Sequence, residues 1–179
     1  MAAGQKRYTL NMGYRFAWML EKPVFLEREK TERQRMKFLV TEKVKIMVLF
    51  AGVGIIPLVL AMEKNVNVVT VEKNEKVFSF PTENIEVNRI RGSITPVLGD
   101  SYEYQGGKAD RVVVPQPCDH NCFVRLQDFV KAGGYLHYCT WASTKSRLAN
   151  IPGYEILNTR NAGSYAPGVW KVCLDMRKM

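Results

Sequence analysis

Lys45-Ile46-Met47-Val48-Leu49-Phe50-Ala51-Gly52-Val53-Gly54-Ile55-Ile56-Pro57 decides the fold. A short apolar run that stops at glycine fits a strand buried on both faces. Two glycines one residue apart fit a tight turn, and the apolar residues after them, with Pro57, fit the start of a helix. In open α/β sheets ligands sit at the carboxyl ends of strands. Glycines there let a ligand approach the backbone, and the following helix offers free N–H groups to an anion. The longer dinucleotide pattern G-x-G-x-x-G is absent, because Ile55-Ile56-Pro57 follows Gly54. A pyrophosphate cofactor is therefore disfavoured. A small carboxylate, such as the methionine end of S-adenosylmethionine, suits the shorter loop.

Outward from this stretch, strand and helix patterns alternate. The spacing predicts a helix over 55–64, a strand over 67–71 and a helix over 75–88 with Pro81 in or near its first turn. Strands over 95–98 and 111–114 follow. Next come a helix over 121–132 ended by Gly133-Gly134, and a strand over 135–141. After a short helix near 143–149, the runs 154–161 and 169–177 form a hairpin added to the sheet edge. Before the central stretch, residues 8–26 carry one or two short strands. Residues 29–40 form a helix with an apolar edge at Met36, Leu39 and Val40, and Thr31 suits its cap. The expected class is α/β, a mostly parallel sheet with helices on both faces and an antiparallel C-terminal edge hairpin. Residues 1–44 are expected to be a basic strand and helix extension, and residues 45–179 the ligand-binding domain.

The chain has 179 residues, 46% of them apolar, and a formal net charge of +9. That charge favours an anionic partner, transfer RNA or another RNA before all others. The basic residues concentrate before Lys45, among them Arg7, Arg15, Arg28, Arg33, Arg35 and Lys37, with a second group at Arg160, Lys171, Arg177 and Lys178. No apolar run approaches the roughly 20 residues of a bilayer span, and no secretory pattern opens the sequence. The expected location is the cytoplasm, and the four cysteines are expected as reduced thiols. Cys118, His120 and Cys122 are close together, but a separate second ligand pair has only His137 and Cys139 to draw on. No metal is expected.

Three further positions carry chemistry. Glu72 ends the second core strand, about 20 residues past the glycine loop, where a carboxylate can accept both ribose hydroxyls of a nucleoside. Asp100-Ser101 ends the third, where an acid can accept a hydrogen bond from an adenine amino group. With Phe50, Ala51, Gly52 and Gly54, this order is specific for S-adenosylmethionine enzymes. Val114-Pro115-Gln116-Pro117 ends the fourth strand, and prolines there fix carbonyls that can grip an amino-nitrogen acceptor.

A resemblance adds to this. Thr31-Glu32-Arg33-Gln34-Arg35, Leu49-Phe50-Ala51-Gly52-Val53-Gly54, Val71-Glu72-Lys73-Asn74, Glu83-Asn84-Ile85-Glu86-Val87-Asn88, Leu98-Gly99-Asp100 and Gly133-Gly134-Tyr135-Leu136-His137-Tyr138 follow one family's order. The segment from Ser164 to Asp175 is similar to its last hairpin. The sequence resembles the archaeal and eukaryotic transfer-RNA guanine N1-methyltransferases and the related wybutosine-synthesis aminocarboxypropyl transferases, from about Gly13 to the C-terminus.

The resemblance implies a Rossmann-like class I methyltransferase with a seven-stranded sheet, its last strand antiparallel. It implies S-adenosylmethionine as cofactor, held by Arg33, the Phe50–Gly54 loop, Glu72, Lys73, Asp100 and Ser101. It places Arg28 at the acceptor base, where a guanidinium would stabilise charge on the base oxygen. Glu32 and Asp119 are candidates to take the acceptor proton, and Pro115 and Pro117 to hold the acceptor. The sequence departs from the family at three points. Val48 stands where an acid is usual, Leu26 where a serine is, and Pro115-Gln116-Pro117 lacks an asparagine. Methyl transfer to transfer RNA is the leading expectation. Aminocarboxypropyl transfer and a non-catalytic RNA- or partner-binding module are the alternatives.

Overall fold

In the computed structural model the apolar run becomes β3 (Lys45–Leu49), near the middle of a seven-stranded sheet. The structure describes residues 6–11, 14–19, 30–115, 120–143 and 151–179. Arg28, Leu26, Pro117 and Asp119 lie outside them, as does most of the helix expected near 143–149.

The first strands, β1 (Lys6–Asn11) and β2 (Tyr14–Met19), pair antiparallel in a two-stranded sheet of their own. Helix α1 (Lys30–Leu39) leads into β3. Then follow α2 (Ile55–Glu63), β4 (Asn67–Glu72), α3 (Glu75–Glu86), β5 (Ser93–Leu98), β6 (Ala109–Val114) and α4 (His120–Leu126). The chain ends in β7 (Val130–Ala142), β8 (Tyr154–Ala166) and β9 (Val169–Lys178). The sheet order is β5-β4-β3-β6-β7-β9-β8. β9 lies between β7 and β8 and is antiparallel to both, while the ladders from β5 to β7 are parallel. From β3 the chain builds outward through β4 to β5 and then returns to β6 on the other side. The crevice at that reversal is where open α/β sheets bind ligands.

Alternation along the strands sorts the core. Ile46, Val48 and Val113 face α1 and α2 and pack with Met36, Val40, Ile56, Leu60 and Ala61. Met47, Leu49, Val112, Val114, Leu136, Leu174 and Met176 form the opposite face with Phe123 and Leu126. Full burial of one such side chain contributes roughly 1.5–3 kcal/mol. Val48 is fully buried in the first set. Where the resembled family carries an acid, this chain has an apolar contact.

Five expectations are corrected. Pro81 sits in the interior of α3, not near its first turn. An interior proline costs a helix about 3 kcal/mol. Here its ring packs where Gly54 has no side chain, since a Cβ on Gly54 would meet Pro81 at 3.0–3.3 Å. The helix expected to run to Ala132 stops at Leu126 and passes through one 3₁₀ turn, Gln127–Phe129, into β7. Gly133 and Gly134 mark a bulge instead of a helix end. The register with β6 moves from Ala109↔Val130 to Arg111↔Tyr135, and Gly133 takes φ 72° to absorb the extra residues. The terminal hairpin reaches Ala166, with register shifts at three places along β8. Cys139 and Cys173 are not free thiols. They face each other across β7 and β9 with Cα atoms 4.1 Å apart and form a disulfide. At the other edge of the sheet, β5 carries Pro96.

Candidate cofactor and acceptor site

The turn after β3 is built from left-handed backbone. Phe50 takes φ 52°, Gly52 φ 57° and Gly54 φ 75°. A bulky residue in that region is strained and persists only where its surroundings hold it. Phe50 is held twice: its N–H donates to Ser101 Oγ at 3.0 Å, and its ring meets Tyr102 edge-on at 5.4 Å. Ser101 is buried, so its hydroxyl serves the loop backbone. The Gly54 N–H donates to Ala51 at 3.1 Å, and Asn84 Nδ2 donates to the Val53 carbonyl at 3.2 Å. α2 then begins with no side chain capping its first turn, which leaves N–H groups open to an anion.

Glu72 ties this turn to the next two strand ends. Its Oε2 accepts from the Gly52 N–H and its Oε1 from the Asn74 N–H, both at 2.8 Å. Its backbone carbonyl accepts from Gly99 N–H at 3.0 Å. Each carboxylate oxygen keeps a free lone pair, enough for two hydroxyl donors. A Cβ on Gly52 or on Gly99 would meet no atom within 4 Å. Space is therefore open beside both glycines, at the strand ends that Glu72 ties together. Asp100 Oδ1 accepts from the Tyr102 N–H at 2.9 Å, and its Oδ2 lies 3.6 Å from Lys73 Nζ. Phe50, Ala51, Gly52, Gly54, Glu72, Lys73, Asp100 and Ser101 thus form one cluster at the ends of β3, β4 and β5. These residues fit a nucleoside with a carboxylate-bearing tail.

Arg33 is buried in α1 at 3% exposure, between Glu32 and the Met36–Val40 side of the helix. Glu32 lies in a separate cleft beyond Ile56, lined also by Arg35, Pro115, His137 and the Cys139–Cys173 pair. Ile56, in the first turn of α2, joins this cleft to the glycine loop. Of the acceptor-side candidates, Glu32 and Pro115 are therefore together.

Sequence reasoning missed the polar network behind Glu32. Arg35 grips Glu32 through Nη2 at 2.8 Å and Nε at 3.2 Å, and through Nη1 it pairs with Asp175. Arg160 also pairs with Glu32. Asp175 Oδ1 lies 2.7 Å from His137 Nδ1, and Asn158 Nδ2 donates to its Oδ2 at 3.4 Å. Arg111 Nη1 lies 3.0 Å from His137 Nε2. A guanidinium can only donate, so Nε2 is the acceptor and Nδ1 carries the proton given to Asp175. Burial pushes the His137 imidazole below its ordinary value, against the pull of Asp175, so the ring is neutral. Burial alone would raise the Asp175 carboxyl, but hydrogen bonds from His137 and Arg35 hold it well below the usual carboxylate range. A faint signal was present: Arg111, His137 and Asp175 occupy strand positions whose neighbours in the pattern are apolar.

Comparison with known proteins matches the TRM5/TYW2 methyltransferase domain family over residues 9–152. The chain is 27% identical to a Pyrococcus horikoshii tRNA(Phe) (4-demethylwyosine(37)-C(7)) aminocarboxypropyltransferase, over 92% of this chain and 64% of that protein. It is 30% identical to the Pyrococcus abyssi tRNA (guanine(37)-N(1))-methyltransferase Trm5b, over 92% of this chain and 53% of the relative. The crystal structure of Methanocaldococcus jannaschii Trm5 in complex with adenosine superposes with a TM-score of 0.86 at 25% identity, over 99% of this chain and 57% of that one. The chain thus spans between half and two thirds of these relatives. With its strand order, its glycine turn and a match over most of its length, this chain belongs to the TRM5/TYW2 methyltransferase domain family.

Proposed function

We propose that this chain is the cofactor-binding and catalytic part of an S-adenosylmethionine-dependent transferase that modifies transfer RNA in the cytoplasm, with guanine N1 methylation as its reaction. The observation that carries the proposal is Glu72. It pins the left-handed turn by one hydrogen bond to Gly52, each of its oxygens keeps a lone pair, and space is open beside Gly52 and Gly99 at the same strand ends. A ribose would sit against Glu72, an adenine amino group against Asp100, and a carboxylate near the first turn of α2.

The cofactor supplies an activated sulfonium carbon. The protein's work is therefore alignment and electrostatics. Pro115, directly after β6, lines the second cleft, and its carbonyl would suit an amino-nitrogen acceptor. A guanine N1 acceptor must lose a proton, and Glu32 is the carboxylate beside Pro115. Both its oxygens are already engaged by guanidinium N–H groups, so proton transfer requires one of these contacts to yield as the base arrives. Arg28 and Pro117 keep in this scheme the roles that the sequence resemblance implies, Arg28 on the acceptor oxygen and Pro117 in holding the acceptor. Arg33 supports the cofactor side from α1. Aminocarboxypropyl transfer is the second reading. It is favoured by the Pyrococcus horikoshii relative.

Calorimetry with S-adenosylmethionine and mass spectrometry of modified transfer RNA test the proposal. Hydrogen bonds to a charged group contribute roughly 1.5–3 kcal/mol, so Glu72→Ala should weaken cofactor affinity by about 10- to 100-fold. The product mass separates a methyl from an aminocarboxypropyl group. Absence of binding at about millimolar cofactor would leave a non-catalytic module with this fold.

A further inference from the structure

The glycine turn and Glu72 are complete without Arg111, His137 and Asp175. Yet the chain buries all three on neighbouring strands, at 8%, 4% and 6% exposure. Burying ionisable groups is costly unless each is hydrogen-bonded. Such an arrangement is more readily explained by what it holds than by stability alone.

Arg35 connects the network to the cleft. Its guanidinium lies between two carboxylates, with Nη1 on Asp175 and the opposite edge, Nε and Nη2, on Glu32. A planar guanidinium used on both sides is a rigid spacer. Asp175 cannot swing, because its Oδ1 is taken by His137 and its Oδ2 by Arg35 and Asn158. His137 cannot swing either, because its other nitrogen accepts from Arg111. We propose that the buried His137–Asp175 pair positions Glu32, acting through Arg35, so that its carboxylate faces Pro115 in the acceptor cleft. The inference rests on the transferase reading of Glu32.

The placement is transmitted from sheet to helix. Arg111 stands on β6, His137 on β7, Asp175 on β9 and Asn158 on β8, while Arg35 and Glu32 stand on α1. A helix held only by Met36 and Val40 can slide over apolar side chains at small cost, whereas a two-carboxylate clamp fixes its register on the sheet. With His137 neutral, the described network sets the three guanidiniums of Arg35, Arg111 and Arg160 against two carboxylates, Glu32 and Asp175. The surplus positive charge lies behind the cleft, on the side where an acceptor base becomes negative as its proton leaves.

The test uses the full chain, with cofactor affinity measured by calorimetry and single-turnover transfer to transfer RNA. Asp175→Asn should lower the transfer rate by about 10- to 100-fold while leaving cofactor affinity within about twofold. Arg35→Lys keeps the charge but loses the two-sided fork, and should lose rate in the same way if Asp175→Asn folds poorly. Combined with Glu32→Gln, either substitution should add little further loss, since both act through the one carboxylate. Additive losses, or a rate indifferent to both substitutions, would overturn the positioning role. A wild-type chain that binds cofactor and transfers nothing overturns the transferase reading alone. Amide exchange over Thr31–Arg35 then decides the inference: faster in Asp175→Asn if the clamp orders this turn, unchanged if it does not.

Discussion

At the scale of the residue, His137 links protonation to stability. In the unfolded chain its imidazole titrates near its ordinary value of about 6.5. In the folded chain burial moves it lower. Between those values the unfolded chain holds the additional proton, so stability rises with pH and falls on acidification. Protonation would also place an imidazolium against the Arg111 guanidinium and force Nε2 from acceptor to donor. Asp175 has the same sign at lower pH. Its depressed folded value makes its contribution complete above about pH 4 and lost as pH falls further. Denaturant unfolding at about pH 7 and about pH 5 should show a loss approaching 1.4 kcal/mol per pH unit for one proton. His137→Gln should flatten that slope, and equal slopes in the two proteins would assign the loss elsewhere. The sequence has only one other histidine, His120, which keeps the comparison simple. Residue types alone did not reveal this network. A histidine and an aspartate on separate strands become partners only when β9 enters between β7 and β8.

At the scale of the element, the glycine turn separates shape from contact. Gly52 and Gly54 both take left-handed backbone, but a Cβ on Gly52 points into open space while one on Gly54 meets Pro81. Gly52→Ala should cost roughly 1–2 kcal/mol of stability from backbone alone and weaken cofactor binding, because the methyl enters the cradle. Gly54→Ala adds overpacking, typically 1–3 kcal/mol, and should be the more destabilised of the two. Chemical denaturation and calorimetry should therefore rank the variants in opposite orders. The same ranking in both assays would contradict the separation. Most elements were legible because alternation of apolar runs with glycine and polar breaks is a local signal. Gly133-Gly134 misled because glycine serves helix ends and bulges alike, and only the register with β6 decides between them. Pro81 misled because its compensation, the missing side chain of Gly54, lies 27 residues away in sequence.

At the scale of the molecule, charge and sheet edges set how the protein meets others. With a net charge of +9, transfer RNA binding should weaken steeply with salt, with log K against log salt sloping by about 3 or more in magnitude for a few phosphate contacts. A flat dependence would instead point to a partner recognised by shape or apolar contact. The clustering of the glycine turn, Glu72 and Asp100 at neighbouring strand ends was legible from their order along one strand series. The cleft shared by Glu32 and Pro115 was less legible, since the two come from distant segments that meet beside Ile56. The two sheet edges have a different consequence. At the two edges of the seven-stranded sheet, a proline in β5 and a broken register in β8 interrupt the row of unpaired donors and acceptors that another strand would copy. Growth of the seven-stranded sheet by strand addition is thereby blunted at both of its ends. A partner is directed instead to side chains and helix surfaces, where a contact can be both selective and released.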